Sequence, residues 1–289
     1  MSYYKLLGFE REPFSTSPDP AFFYLTQAHE VALTNVLIEL RLRRGLAVVL
    51  GDVGTGKTSL SRKLIQCLGE RGDFILHMVL DPCFDSEHAF LTSLARNFDV
   101  RLGEAVVAEP ARALAVLDLK EALEKFLYQK CLVDHKTVVL IVDEAQKLTE
   151  PSMEMLRVLL NFETNENKLL QLVLLGQLEL HAKLMAMPNF LDRVSFKYTL
   201  NPLGYEEAKR MIGFRIAQAG YTHASRLFLE EAVELIHRFS RGYPRKMTLL
   251  CHRALKRLVL RQKSVVDAPL VRDLIEEDVH AGWLSPAIR

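Results

Sequence analysis

The sequence predicts an α/β protein, a three-layer arrangement of a parallel sheet with helices on both faces, followed by a small all-helical domain. Three observations predict it. Short, continuous apolar runs alternate with amphipathic helical segments as far as residue 200, as strands buried on both faces do. A glycine-rich turn joins the first such run to a helix. After Asn201-Pro202 only helical periodicity is left.

Residues 1–27 read as an arm packed on the core. Tyr3, Tyr4, Phe9, Phe14, Phe22, Phe23 and Tyr24 are too apolar to stay in water, and Pro13, Pro18 and Pro20 exclude a long helix. Residues 28–44 show helical spacing through Val31, Leu33, Val36, Leu37 and Leu40, and Gly45 ends the helix. Leu46–Leu50 is the first strand, and a helix runs from Lys57 to Leu68. Phe74–Leu80 is the second strand; Ser86 caps a helix reaching Phe98, and residues 99–110 form a loop. A long amphipathic helix covers Ala111–Lys130. Thr137–Val142 is the third strand, Pro151–Phe162 a helix with proline in its first turn, and Leu169–Leu175 the fourth strand. Gln177–Met187 is helical and Val194–Leu200 alternates like a strand. Helices are expected over 204–219, 226–239, 245–262 and 267–278, punctuated by Gly220, Gly242-Tyr243-Pro244 and Ser264. The α/β domain therefore spans 28–203 and the helical domain 204–289.

Composition narrows the function classes. The chain is 49% apolar and 25% charged with a net charge of +1, so it is an ordinary globular protein and not, as a whole, a strong electrostatic partner for nucleic acid or membrane. Its four cysteines, Cys67, Cys83, Cys131 and Cys251, are too far apart for a zinc or redox pair and read as reduced cytosolic thiols. The amino terminus lacks the layout of a signal peptide, and no apolar run reaches the roughly 18–20 residues a bilayer requires. The expectation is a cytoplasmic protein that reaches the inner membrane only by recruitment. His29, His77, His88 and His181 show no metal-ligand spacing, and Met153–Met155 and Met185–Met187 read as packing residues.

Gly51, Asp52, Val53, Gly54, Thr55, Gly56, Lys57 and Thr58 fit G-x-x-x-x-G-K-[ST]. Glycines let several backbone N–H groups point into one concave nest, and the following helix adds its positive end. A triphosphate fits such a nest. Lys57 supplies charge for the β- and γ-phosphates, the Thr58 hydroxyl ligates Mg²⁺, and Ser59 joins the nucleotide-binding set in the helix's first turn. The strand before and the helix after are the context the motif requires. The expected ligands are ATP and Mg²⁺.

Val138–Val142 runs into Asp143 and Glu144, and buried strands tolerate carboxylates only at their ends unless something pairs them. Downstream of such a loop, Asp143 holds Mg²⁺ and Glu144 polarises the attacking water. These two stretches are the Walker A and Walker B motifs of an ATPase.

The motifs together are similar to those of the AAA+ ATPases and, within them, resemble the ExeA/GspA family of general-secretion-pathway ATPases. The resemblance runs through Gly8-Phe9, Pro13-Phe14, Pro18-Asp19-Pro20 and Tyr24 in the arm, then the Gly51–Thr58 loop. It continues through Val142-Asp143-Glu144-Ala145-Gln146, Leu159-Leu160-Asn161-Phe162-Glu163-Thr164 and Leu175-Gly176-Gln177-Leu178-Glu179-Leu180. It ends with Pro202-Leu203 and Gly242-Tyr243-Pro244-Arg245. Similar proteins include MSHA-pilus and exosortase-associated ATPases and, more distantly, TniB/TnsC transposition ATPases. The resemblance implies that the helical domain is a lid and that subunits assemble as a ring or helix with ATP between them. It implies three further catalytic residues. Gln177 is sensor 1, which reads the γ-phosphate; where the family has Gly-Gln-Pro this chain has Leu178 in place of the proline. Arg193 is a finger offered to a neighbouring subunit, and Arg245 is sensor 2 on the lid. Positive charge around the γ-phosphate is what phosphoryl transfer needs. Longer members append a transmembrane segment and a peptidoglycan-binding module; neither pattern occurs before Arg289, so direct cell-wall contact is not expected of this chain.

Between Arg241 and Lys263 stand eight Lys or Arg and no acid: Arg241, Arg245, Lys246, Arg253, Lys256, Arg257, Arg261 and Lys263. Arg253, Lys256, Arg257 and Arg261 share a helix face. Such a stripe suits duplex DNA, or it is a solvated helix partly balanced by Asp267, Asp273, Glu276, Glu277 and Asp278; the second reading is preferred. Arg41, Arg43 and Arg44 form a smaller cluster for a neighbour's acids. The main expectation is an ATPase that switches a secretion, pilus or envelope apparatus. The rivals are a transposition regulator oligomerising on duplex DNA and a nucleotide-gated scaffold with little turnover.

Overall fold

The computed structural model describes residues 2–16, 19–100, 115–222 and 226–281. Part of the loop expected over 99–110 and the helix start expected at Ala111 lie outside them. The chain forms two compact units: Ala28–Asp52 with Leu60–Leu200, and Met1–Gln27 with Val53–Ser59 and Asn201–Arg289.

The first unit is built on a five-stranded parallel sheet of β1 (Leu46–Gly51), β2 (Phe74–Val79), β3 (Thr137–Val142), β4 (Leu170–Gly176) and β5 (Val194–Leu200), in the order β2-β3-β4-β1-β5. Every residue of the three central strands is buried, as their unbroken Val/Leu/Ile runs require, whereas edge strand β5 alternates in exposure. Helices α2 (Gln27–Arg41), α3 (Lys57–Gly69), α4 (Glu87–Asn97), α5 (Val116–Tyr128), α6 (Glu150–Leu159), α7 (Glu179–Met185) and α8 (Pro188–Leu191) alternate with the strands. Phe90, Leu94, Leu119, Leu123, Leu156 and Phe190 pack against Val138, Leu140, Leu172 and Leu174. Each fully buried Leu or Phe contributes about 1.5–3 kcal/mol by leaving water. Ser86 caps α4 through its hydroxyl, which accepts the Ala89 N–H at 3.1 Å, and Pro151 sits in the first turn of α6. The helix expected to reach Lys130 ends in a π-turn over Gln129–Val133, whose Cys131 is buried with its thiol on the Leu169 carbonyl.

The second unit joins α9 (Tyr205–Gln218), α10 (Glu230–Ser240), α11 (Pro244–Leu260) and α12 (Ala268–His280) to the arm. The arm is not wholly extended: Tyr3–Leu6 forms the one-turn helix α1 and Pro20–Phe22 a 3₁₀ turn. The core the arm joins is that of these helices, where Phe9, Phe14 and Phe22 lie buried with Met211, Ile236, Leu255 and Leu270. Arg215 pins it, donating to the Pro13 carbonyl at 2.9 Å and the Ser15 carbonyl at 2.7 Å beneath the Phe14 and Phe22 rings. The helix expected from 226 starts only at Glu230. The backbone before it is bonded instead to Val266, whose N–H donates to the Leu227 carbonyl and whose carbonyl accepts the Leu229 N–H. Among the described residues no helix is long and apolar enough to cross a membrane.

Candidate nucleotide site

Parallel pairing decides which residues meet. Leu50 of β1 is level with Gly176 of β4, and Val142 of β3 with Leu174. The chain therefore leaves β1 at Gly51, β3 at Asp143 and β4 at Gln177 along one edge of the sheet. Carboxyl ends of parallel strands are where α/β sheets bind ligands.

At β3, Asp143 is 2% exposed; its N–H donates to the Val79 carbonyl at 2.9 Å and its Oδ1 accepts the Glu144 N–H at 3.0 Å. A carboxylate this buried requires donors or a cation. Glu144 follows with a left-handed backbone, φ 53° and ψ 34°, which costs a non-glycine residue about 1–3 kcal/mol. This turn swings its side chain back over the sheet edge. There Glu144 Oε2 accepts the Gln146 amide at 2.8 Å and the Gln177 amide at 3.4 Å. The Gln177 backbone N–H donates to Gln146 Oε1 at 3.0 Å. The structure thus brings Glu144 and Gln177 together and adds Gln146, to which the sequence reading assigned no role. Its signal in the sequence is its place in the Val142–Gln146 stretch that carries the family resemblance, two residues after Glu144.

The glycine-rich loop runs from Gly51, buried at the end of β1, into α3, which starts at Lys57. Thr55 is 1% and Lys57 5% exposed, so the ammonium has left water and must sit among polar or charged groups. Gly54 takes φ +85°, which strains any side chain, and a Cβ there would stand a tight 3.0 Å from Arg245 Cβ. Its carbonyl accepts the Arg245 N–H at 3.4 Å. The sequence-predicted lid arginine therefore touches the loop through its backbone. Its side chain is exposed, and no described residue holds the guanidinium by a hydrogen bond or ion pair.

A jammed turn fixes that backbone. Arg241 is left-handed at φ 54°, and Gly242, at φ +75°, has space for no side chain, because a Cβ would fall 2.2 Å from the Leu203 carbonyl oxygen. The Leu203 N–H donates to the Gly242 carbonyl at 2.9 Å, and His237 Nε2 lies 3.0 Å from the Leu203 oxygen. Pro244 then opens α11 and Arg245 follows in its first turn.

Arg193 stands apart from this set in its own chain. Its guanidinium donates to the Asn161 side chain and the Asn189 carbonyl, while its Nε is buried with no hydrogen-bond partner. Beside it a 290 Å³ cleft is lined by Glu154, Arg157 and Ala186–Phe190. The Arg157 guanidinium hydrogen-bonded to Glu154 holds that carboxyl below its ordinary range.

Half of the basic stripe is paired within the helical unit. Arg253 bonds Asp278 at 2.5 Å, Arg257 bonds Glu277 through two contacts at 2.7 and 2.9 Å, Arg261 bonds Asp273 at 2.6 Å and Lys263 bonds Asp267 at 2.7 Å. Half of the eight cations are thus committed to acids on or beside α12, as the preferred reading anticipated.

The profile of the AAA domain family matches residues 40–184. General secretion pathway protein A of Aeromonas hydrophila is 34% identical over 255 residues, covering 88% of this chain. The chain spans 44% of that relative's length. The resemblance to ExeA/GspA-type ATPases drawn from the motifs is borne out by this match. Among solved structures, Drosophila ORC bound to DNA superposes with a TM-score of 0.67 at 19% identity, covering 96% of this chain and 66% of that one. The ORC2 protein of Aeropyrum pernix in ADPNP–ADP complexes gives 0.62 at 16% identity, covering 93% and 72%. At such identities these two likenesses carry the fold alone, and the fold is the expected P-loop α/β sheet followed by helices.

Proposed function

The chain belongs to the AAA domain family, and on that premise we propose that it binds ATP with Mg²⁺ and hydrolyses it to ADP and phosphate between subunits of a homo-oligomer. One observation carries the reading: a buried aspartate, a left-handed glutamate and a strand-end glutamine gather at the sheet edge from which the Lys57 loop departs. The backbone N–H groups of Gly51–Ser59 cradle the phosphates and Lys57 neutralises the β- and γ-groups. Thr58 and Asp143 hold Mg²⁺, and the burial of Asp143 fits a carboxylate that meets a cation. The ion spreads the charge that builds on the phosphate oxygens. Glu144 takes the proton of the attacking water, Gln177 contacts the γ-phosphate, and Arg245 reaches it from the lid. Arg193 serves the neighbouring subunit's site, in keeping with its lack of hydrogen bonds to Glu144 or Gln177 of its own chain. The complexes of the archaeal ORC2 protein with ADPNP and ADP support nucleotide as the ligand class.

The relative's name supports a secretion apparatus as the partner class; the motif resemblance widens it to a pilus or envelope apparatus at the inner membrane, to which this ATPase would be recruited from the cytoplasm. The rival, oligomerisation on duplex DNA, draws on the DNA-bound Drosophila ORC. The ion pairs along α11 weigh against it. The test is calorimetry of Mg-ATP with the wild type and Lys57→Ala, with phosphate release measured on both. Tight uptake lost in the variant is expected. A folded wild type that takes up no nucleotide overturns the proposal, and ATP-dependent, salt-sensitive DNA binding overturns the choice of partner.

A further inference from the structure

We infer that Gln146 is the residue that positions the Glu144 carboxylate for water activation; this rests on the role given to Glu144 above. The chemistry of the donors fixes the orientation of the Gln146 amide. The Gln177 backbone N–H can only donate, so it claims Oε1 at 3.0 Å. That leaves Nε2 facing Glu144 Oε2 at 2.8 Å, and an ionised carboxylate can only accept. Reversing the amide would break both bonds at once.

Gln146 is itself braced. It lies in the 3₁₀ turn Ala145–Lys147, and Lys183 of α7 donates to the carbonyls of Gln146 and of Leu148, the latter at 3.0 Å. The turn is thus tied to α7 by an ammonium and to the end of β4 by a backbone N–H. Glu144 Oε1 accepts no hydrogen bond from the described residues, so the clamp on Oε2 presents the other oxygen to water.

Two amides share Oε2, and they are not equivalent. The Gln177 side chain is the longer contact, at 3.4 Å, and it is also the group proposed to contact the γ-phosphate. When it turns to nucleotide it leaves Glu144. The Gln146 bond remains, and the Gln177 backbone N–H still holds Gln146. Gln146 therefore keeps the glutamate in place through turnover and links it to the strand end carrying sensor 1. Its side-chain amide is bonded to Glu144 and to the Gln177 backbone N–H, so on this reading it acts through Glu144.

The experiment measures single-site kcat and Mg-ATP affinity for the wild type, Gln146→Ala, Glu144→Gln and the double variant. Gln146→Ala is expected to lower kcat about 10–100-fold, the scale set by misplacing a reacting group by an ångström, with the Mg-ATP Kd within about twofold of wild type. In the Glu144→Gln background, Gln146→Ala should change kcat by less than about twofold, because a residue acting through Glu144 has nothing left to position. A purely structural role would cost turnover in both backgrounds and overturns the inference. Gln146→Glu keeps the shape and turns the donor into a carboxylate facing Glu144, so it should be at least as slow as Gln146→Ala; turnover at the wild-type rate in either variant overturns the inference. A wild type that turns over while the variants match it sinks this inference alone. A wild type with no turnover sinks the function on which it rests.

Discussion

Of the six described non-glycine residues with a left-handed φ, Glu144 at 53° and Arg241 at 54° lie in the two turns that bear on the site, and the turns use the conformation for opposite ends. At the sheet edge the strained residue is the one proposed to act on water, and two glutamine amides clamp its carboxylate. In the helical unit the strained residue only sets up its neighbours. Gly242 jams against Leu203, Pro244 opens α11, and the backbone of Arg245 docks on Gly54 while its guanidinium stays unheld. One turn places a side chain and the other places a backbone. A base must be oriented before its water arrives, which rewards preorganisation. On the proposed reading Arg245 would meet phosphate only when nucleotide is bound, which suits a side chain left in solvent.

The largest effect that would break this contrast lies in the first turn. Glu144→Gln keeps the size of the side chain and removes its basicity, so phosphate release should fall about 10²–10⁴-fold while nucleotide binding persists. Retained turnover would mean that the clamped carboxylate is not the base. Next is Gly242→Ala. Its methyl would overlap the Leu203 oxygen, and the expected loss is about 2–4 kcal/mol, read by chemical denaturation. An unchanged midpoint would show that the second turn is not jammed. Arg245→Ala sharpens the comparison further: an exposed, unheld side chain should leave the melting temperature nearly unchanged yet slow turnover about tenfold, ~1.4 kcal/mol in the barrier. A large loss of stability would place it among the structural residues instead.

The smallest effect separates the units by pH. Arg257 lowers the Glu277 carboxyl and Lys263 lowers that of Asp267, each chiefly through a hydrogen bond. Folded values below the unfolded ones mean that these pairs stabilise fully above the ordinary carboxylate range, near pH 4. Their contribution disappears as pH falls through the depressed values. The melting temperature of the wild type should therefore drop on acidification below about pH 4 more than that of Arg257→Ala. Equal slopes would show that the pair between α11 and α12 is screened out.

The central strands were legible because a strand buried on both faces has no choice but an unbroken apolar run; β1, β3 and β4 follow from that alone. The glycine-rich loop was legible because its chemistry is local: glycines, a lysine and a threonine within eight residues of chain. Gln146 was not, because its meaning lies in an amide pointing at a residue two positions back and a backbone N–H 31 positions ahead. Nor was the start of α10, since the backbone that periodicity assigned to helix is claimed by Val266. The arm's aromatics announced burial without naming the core that would bury them.

What the sequence by itself determined is the set of local commitments: strand runs, caps, the phosphate loop, and acids at a strand end, each a matter of neighbouring residues and the water they avoid. Only the tertiary structure decided which of these meet. The order β2-β3-β4-β1-β5 sets Gln177 beside Glu144 and puts both at the end where β1 releases its loop. Strand order is a property of long-range pairing, and pairing energy depends on surfaces that exist only once the strands have come together.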